Sequence, residues 1–160
     1  MSEPAPAAPA LAAGGPLERP PFRFAYRTRV GFDETDAQGI VYYGRYMPYF
    51  DRARVEYLRH LGLLGSRGGS DFVMRAQHVD YLAPARFDDA LEVLVRVRRL
   101  GRTSVTWAFA AHNLASGRLL VTAEQTMVQI DLADRRPRRI DERYRALVEE
   151  LEQELEELGR

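Results

Sequence analysis

The stretch that decides the fold of this 160-residue chain is residues 35–62, TDAQGIVYYGRYMPYFDRARVEYLRHLG. It places a carboxylate, a glycine turn and an aromatic cluster directly before one long helical pattern. Asp36 precedes Gly39 by three residues, so the chain can turn there and bring the carboxylate beside the unpaired N–H groups that begin the helix. Such amides bind oxygen anions. The stretch therefore predicts a helix over residues 45–60 with a polar site at its N-terminus.

The predicted helix has a wide apolar face. Its apolar residues recur at spacings of three and four and are Tyr46, Met47, Phe50, Ala53, Tyr57, Leu58 and Leu61. An arc this wide favours a helix that other elements enclose. On the same helix, the spacing of Glu56 from Arg52 and Arg59 indicates ordinary ion pairs, and Arg54 is placed to pair with Asp51.

Period-two alternation predicts the strands. Residues 22–32 form one strand before the helix, and four more runs follow a glycine-rich loop. These runs are residues 72–82, 91–100, 103–112 and 118–131. Short turns join the last three, so they should be sequential and antiparallel. With an amphipathic helix over residues 141–159, the pattern predicts an α+β fold: a curved antiparallel five-stranded sheet wrapped around a central helix, with a C-terminal helix.

Composition limits the organisation and the partners. Residues 1–20 are rich in Ala, Pro and Gly and predict a disordered tail ahead of a single domain over residues 21–160. Acidic and basic residues number 23 each, so net charge favours neither nucleic acid nor a membrane surface as partner. No apolar run is long enough to span a membrane. Cysteine and lysine are absent, which removes thiolate and Schiff-base chemistry. We expect a soluble, cytoplasmic protein.

A longer motif adds a resemblance to a known family. The run Asp36-x-x-Gly39-Ile40-Val41-Tyr42-Tyr43-x-x-Tyr46 is followed by Phe50-Asp51-x-Ala53-Arg54-x-Glu56. This pattern resembles the hot-dog-fold acyl-CoA thioesterases, in particular 4-hydroxybenzoyl-CoA thioesterase and the Tol-Pal-associated thioesterases. The similarity continues through Tyr81, residues 84–89 and residues 100–104, and it covers residues 24–131. It implies the hot-dog fold and the hydrolysis of an acyl-CoA to a free acid and CoA.

The resemblance also implies roles for individual residues. The Asp36 carboxylate would attack the thioester or activate the attacking water, while the backbone N–H of Tyr43 holds the carbonyl oxygen. Both modes of attack are open at the level of sequence. Gly39, Val41, Tyr42 and Tyr46 are the expected substrate-binding residues.

Further contacts are expected around this centre. Tyr43, Tyr49 and Phe50 are additional candidates for the wall of an acyl pocket. Arg99, Arg102 and Ser104 lie at the turn that approaches the nucleotide end of CoA in the family, and guanidinium and hydroxyl groups suit its phosphates. A thiolate leaves readily, so neither a metal nor another cofactor is expected.

Two other functions share this scaffold. A hot-dog enoyl-CoA hydratase or dehydratase needs a histidine paired with a carboxylate, and the motif places no histidine next to Asp36. A non-catalytic module would bind acyl-CoA or an acyl carrier protein without hydrolysis. Because a single sheet has exposed edges, we expect a homodimer or homotetramer with its sites at the subunit interface. An acyl carrier protein is a further candidate partner.

Overall fold

The computed structural model of the chain describes residues 14–65, 68–153 and 155. Its strands and helices are β1 (Gly14–Arg19), β2 (Phe22–Arg29), α1 (Tyr46–His60), β3 (Ser70–Tyr81), β4 (Ala90–Leu100), β5 (Ser104–Asn113), β6 (Leu119–Asp131) and α2 (Glu142–Glu152). The strands form one antiparallel sheet in the order β1-β2-β4-β5-β6-β3. The α+β prediction, with one helix inside a curved sheet and a second helix at the C-terminus, is confirmed. No helix in the described part of the chain has the length and apolar composition needed to cross a membrane.

The sheet has six strands rather than the predicted five. Strand β1 lies within the predicted disordered tail of residues 1–20 and pairs with β2, with Gly14 opposite Tyr26 and Pro16 opposite Phe24. The prediction was wrong here because an edge strand is held mainly by backbone hydrogen bonds, which a composition rich in Gly and Pro does not reveal. Leu17 also packs on a small apolar cluster of the sheet. Residues 1–13 of the predicted tail lie outside the described residues.

The C-terminal helix, Glu142–Glu152, is shorter than the helix predicted over residues 141–159. The side chain of Asp141 caps it by accepting the Tyr144 N–H at 2.8 Å. The helix ends at Glu152, because Gln153 adopts a positive φ of 61° that cannot continue a right-handed helix. Residues 154 and 156–159 of the predicted helix lie outside the described residues.

Helix α1 forms the centre of the hydrophobic core. Its buried side chains are Tyr46, Tyr49, Phe50, Ala53 and Tyr57. Phe50 packs on Phe109 of β5 at a ring distance of 4.8 Å, and Tyr57 meets Trp107 edge to face at 5.1 Å. Burying each large apolar side chain stabilises the fold by roughly 1.5–3 kcal/mol. The enclosed helix predicted from the wide apolar arc is confirmed.

A buried carboxylate joins α2 to this core. Glu152 accepts the Tyr57 hydroxyl of α1 at 2.6 Å and the Val97 N–H of β4 at 2.7 Å. The pairing of β2 with β4 ends at Phe24 and Val95, so Glu152 supplies an acceptor just beyond the end of that ladder. The Arg96 guanidinium lies 3.7 Å from the other carboxylate oxygen. Burial raises the pKa of Glu152 despite these favourable contacts.

We predict that Glu152 makes the stability of the fold depend on pH. Because its pKa is raised on folding, the folded state binds the proton more tightly than the unfolded chain does. The stabilisation is fully present below the unfolded pKa of 4.5 and is lost as pH rises through the folded pKa. In Glu152→Gln the amide oxygen can still accept both hydrogen bonds, so we expect a folded protein that lacks this decline.

Urea unfolding of both proteins between about pH 4 and about pH 8 measures the effect. Glu149→Gln, an exposed change on the same helix, is the matched control. If the unfolding free energy of Glu152→Gln declines with pH as steeply as that of the parent, the prediction is wrong.

Candidate active site

Asp36 lies near the tip of a narrow loop that precedes α1. In this site hairpin (residues 34–42), the Tyr42 N–H donates to the Glu34 carbonyl at 3.0 Å, and the Asp36 N–H donates to the Ile40 carbonyl at 2.9 Å. Gly39 closes the turn with a φ of +75°, which glycine adopts without a steric penalty. The hairpin therefore places Asp36 by backbone bonds within nine residues of sequence.

The Asp36 carboxylate is half-buried and only partly satisfied. Its Oδ1 accepts the Gln38 N–H at 2.8 Å, which is an Asx turn. Among the described residues its Oδ2 has no hydrogen-bond partner. One oxygen thus fixes the side chain, and the other is available to a reactant.

The helix start supplies a free backbone donor. Tyr42 has extended backbone angles, and a 3₁₀ turn over Tyr43–Arg45 leads directly into α1. The Arg45 N–H donates to the Tyr42 carbonyl at 2.8 Å, and the Tyr43 carbonyl accepts the Tyr81 hydroxyl at 3.1 Å. The Tyr43 N–H has no acceptor in the described part of the chain, as is typical of the first amides of a helix.

Asp36 and Tyr43 both line one cavity of about 660 Å³. Its lining consists of Asp36, Ala37, Gln38, Ile40, Val41, Tyr42, Tyr43, Tyr46, Tyr81, Leu82, Ala83 and Pro84. The structure therefore brings together Asp36, Val41, Tyr42, Tyr43 and Tyr46 of the predicted site. Gly39 lies outside the lining and serves the turn. Tyr49 and Phe50, also considered for the pocket wall, are buried in the core instead.

A second part of the cavity wall, residues 81–84, was missed as a site from sequence. It comes from the end of β3 and the segment after it, where the N–H groups of Leu82 and Ala83 donate to the Leu120 carbonyl. The Tyr81 ring lies 5.9 Å from that of Tyr46 and 6.4 Å from that of Tyr43. Tyr81 and Pro84 belong to the family resemblance, which was the available signal, but the resemblance gave them no role.

The tyrosines of the cavity differ in their surroundings. Burial raises the pKa of Tyr46 to about 12, so its hydroxyl is protonated at neutral pH. Tyr42 is exposed, and its pKa is raised first by a hydrogen bond with the Tyr43 side chain and also by the charge of Asp36. No histidine stands among the described lining residues.

The predicted CoA contacts lie elsewhere in the chain. At the cavity, Tyr81 of β3 is opposite Val121 of β6, which is opposite Ala111 of β5. Ser104 begins β5 seven residues earlier, which is about 23 Å along the strand. Arg99 and Arg102 lie at that same end of the sheet. Within one chain, these three residues do not join Asp36.

Two expectations for charged residues of α1 are confirmed. Arg54 pairs with Asp51 and also donates to Gln125 of β6 at 2.8 Å. Glu56 pairs with Arg59, whereas the expected pair with Arg52 does not form among the described residues. Neither pair lines the cavity, so both are structural.

The chain is similar to known thioesterases in sequence and in fold. The model of the thioesterase superfamily matches residues 38–127. The acyl-CoA thioester hydrolase YbgC of Escherichia coli is 37% identical over 120 residues, which cover 72% of this chain and 87% of that relative. A solved probable thioesterase from Bartonella henselae is 30% identical with a TM-score of 0.67, over 73% of this chain and 98% of that one.

A second solved structure, from the thioesterase superfamily of Jannaschia sp. CCS1, has a TM-score of 0.80 at 23% identity. It covers 91% of this chain and 98% of that one, and it supports the fold alone. The family model spans more than half of the chain, and the resemblance stated from the sequence is confirmed. The chain therefore belongs to the thioesterase superfamily and is a hot-dog-fold thioester hydrolase.

Proposed function

We propose that this protein is an acyl-CoA thioesterase in which Asp36 is the catalytic carboxylate and the Tyr43 N–H binds the carbonyl oxygen. The observation that supports the proposal is that both residues line one cavity, and that Asp36 Oδ2 and the Tyr43 N–H have no partner among the described residues. We propose an acyl-CoA substrate by analogy with the Escherichia coli relative, the acyl-CoA thioester hydrolase YbgC.

The proposed chemistry follows from where charge develops. As the thioester carbon is attacked, its oxygen becomes negative, and an amide at the helix start stabilises it. Losing one such donor typically costs about 3 kcal/mol. Asp36 acts in one of two ways. It attacks the carbon itself, expelling CoA as the thiolate and leaving an anhydride for water to hydrolyse, or it takes a proton from the water that attacks.

The acyl group is proposed to lie against Val41, Tyr42, Tyr46 and Tyr81. Val41 and Tyr46 are buried and Tyr42 is exposed, and all three line the cavity. Ring faces suit an aromatic acyl group, and short aliphatic groups fit the same wall. Gly39 is proposed to contribute through the turn that presents Asp36.

We further propose that the complete site needs two chains. Strand β3 is a 12-residue edge strand with many exposed side chains, and such an edge is a ready pairing surface. Antiparallel pairing about a two-fold axis sets the Tyr81 end of one β3 beside the Ser70 end of the other. The partner subunit's Ser104 is then three strand spacings, about 14 Å, from the Tyr81 end of β3. Within one chain, Ser104 is about 23 Å from that end along the strand direction. Arg99 and Arg102 would reach the CoA phosphates from the partner.

We predict that Asp36→Asn folds normally and loses turnover by on the order of a thousandfold or more. The amide oxygen of the new side chain can still accept the Gln38 N–H, so the turn is kept, but the negative charge is gone. The measurement is thiol release from a panel of aromatic, short-chain and long-chain acyl-CoAs. A hydration assay with an enoyl-CoA distinguishes a hydratase.

The matched control is Asp33→Asn, which changes an exposed carboxylate three residues away that does not line the cavity. It should keep parental turnover. Near-normal turnover of Asp36→Asn would defeat the catalytic assignment. Saturable binding of acyl-CoA by the parent without any thiol release would favour a binding module instead.

We predict that two defective variants restore activity when mixed. Arg102→Ala should raise KM by weakening the phosphate contact, and Asp36→Asn should abolish turnover. In a mixed dimer, one site combines the intact Asp36 of one chain with the intact Arg102 of the other. After the two variants are unfolded together and refolded, thiol release at low substrate concentration should exceed that of either alone.

The control mixes Asp36→Asn with the double variant Asp36→Asn/Arg102→Ala, which has no intact carboxylate to contribute. If the first mixture gains nothing although native mass spectrometry shows mixed oligomers, the two-chain site is disproved.

A further inference from the structure

The site hairpin is tied to α1 by one buried side-chain pair. Glu34 Oε2 accepts the Tyr49 hydroxyl at 2.6 Å and the Gly31 N–H at 2.7 Å. Tyr49 is fully buried, and Glu34 is half-buried. The Gly31 contact caps the local 3₁₀ turn Phe32–Glu34, but the Tyr49 contact crosses to another element and has no local capping role.

The pair connects the two halves of the candidate active site. On the hairpin, the Glu34 carbonyl accepts the Tyr42 N–H, and Asp36 follows two residues later. On the helix, Tyr49 lies one turn beyond Tyr46, and the two rings pack edge to face at 5.8 Å. The element that carries Asp36 and the helix whose start carries the Tyr43 N–H are therefore joined at this point.

The bond is set up to persist. Burial and the neighbouring Glu34 raise the pKa of Tyr49, so its hydroxyl stays protonated and remains a donor. An ionised carboxylate is the stronger acceptor for such a donor. Neither Glu34 nor Tyr49 is among the residues that line the cavity, so neither touches a substrate there.

We propose that Glu34 and Tyr49 are positioning residues that hold the Asp36 carboxylate at a fixed distance from the Tyr43 N–H. The inference rests on the proposed function of Asp36. Without the Tyr49 hydroxyl, the hairpin keeps its own backbone bonds but loses its side-chain tie to α1. A displacement of about 1 Å between reacting groups can reduce the rate by about a hundredfold. The loss should fall mainly on kcat rather than on KM, because the Tyr49 hydroxyl does not line the cavity and its removal takes no contact from the substrate.

The test is Tyr49→Phe in two backgrounds. In the parent we expect kcat to fall by about tenfold to a hundredfold with little change in KM. In Asp36→Asn the residual rate, measured in single turnover at high enzyme concentration, should not fall further, since there is no carboxylate left to position. Glu34→Gln should retain most of kcat, because its amide oxygen can accept both hydrogen bonds, whereas Glu34→Ala should resemble Tyr49→Phe.

Tyr57→Phe is the matched control. It also removes a buried hydroxyl of α1 that donates to a carboxylate at 2.6 Å, but its acceptor is Glu152, away from the cavity. It should lower the melting temperature and leave kcat unchanged.

The outcomes separate the inference from the proposed function. An equal fractional loss from Tyr49→Phe in both backgrounds, or an equal loss of kcat in Tyr57→Phe, would mean a general structural effect and overturn the positioning role. Parental kcat in Tyr49→Phe beside an inactive Asp36→Asn would overturn the positioning role alone. Full activity of Asp36→Asn would instead overturn the proposed function.

Discussion

The burial of α1 inside the sheet is the constraint on which the rest of this structure depends. Its aromatic face meets Phe109 and Trp107 of β5 and Phe24 of β2, so the axis of the helix is fixed by contacts with strands distant in sequence. A helix held in this way also has a fixed N-terminus. The Tyr43 amide, which has no acceptor among the described residues, thereby becomes a donor at a defined place, which an isolated helix of this length would not provide.

The cavity forms where this fixed helix start meets a short hairpin and the end of an edge strand. The hairpin needs only its backbone bonds and Gly39 to turn, whereas long-range contacts place it in the fold: the Tyr49 hydroxyl of α1 donates to Glu34, and the Val41 N–H donates to the Ala85 carbonyl. The carboxylate that we propose to be catalytic is thus carried by a loop, while rigid elements hold the loop. This division suits a site in which a carboxylate and an oxyanion donor must keep a constant separation.

The hydrophobic core and the cavity share a residue. Tyr46 belongs to both, because its ring packs on Tyr49 and Phe50 in the core and also lines the cavity. Tyr81 is the last residue of β3 and also lines the cavity. It lies on the same edge strand that we propose for subunit pairing. The exposed rings of Tyr42, Tyr43 and Tyr81 therefore stand where an acyl group and a second subunit would both approach.

The sequence by itself determined the central helix, the four strands after it, and the association of Asp36 with the start of that helix. These features are local. The repeat of apolar residues, the turn residues and spacings of a few residues follow from covalent geometry, so the sequence alone predicts them. Tertiary structure alone decided the sixth strand, the wall formed by residues 81–84, the Glu34–Tyr49 contact and the distance of Arg99, Arg102 and Ser104 from Asp36. Each of these depends on strand order and register, which bring together residues far apart in the chain and which no local pattern encodes.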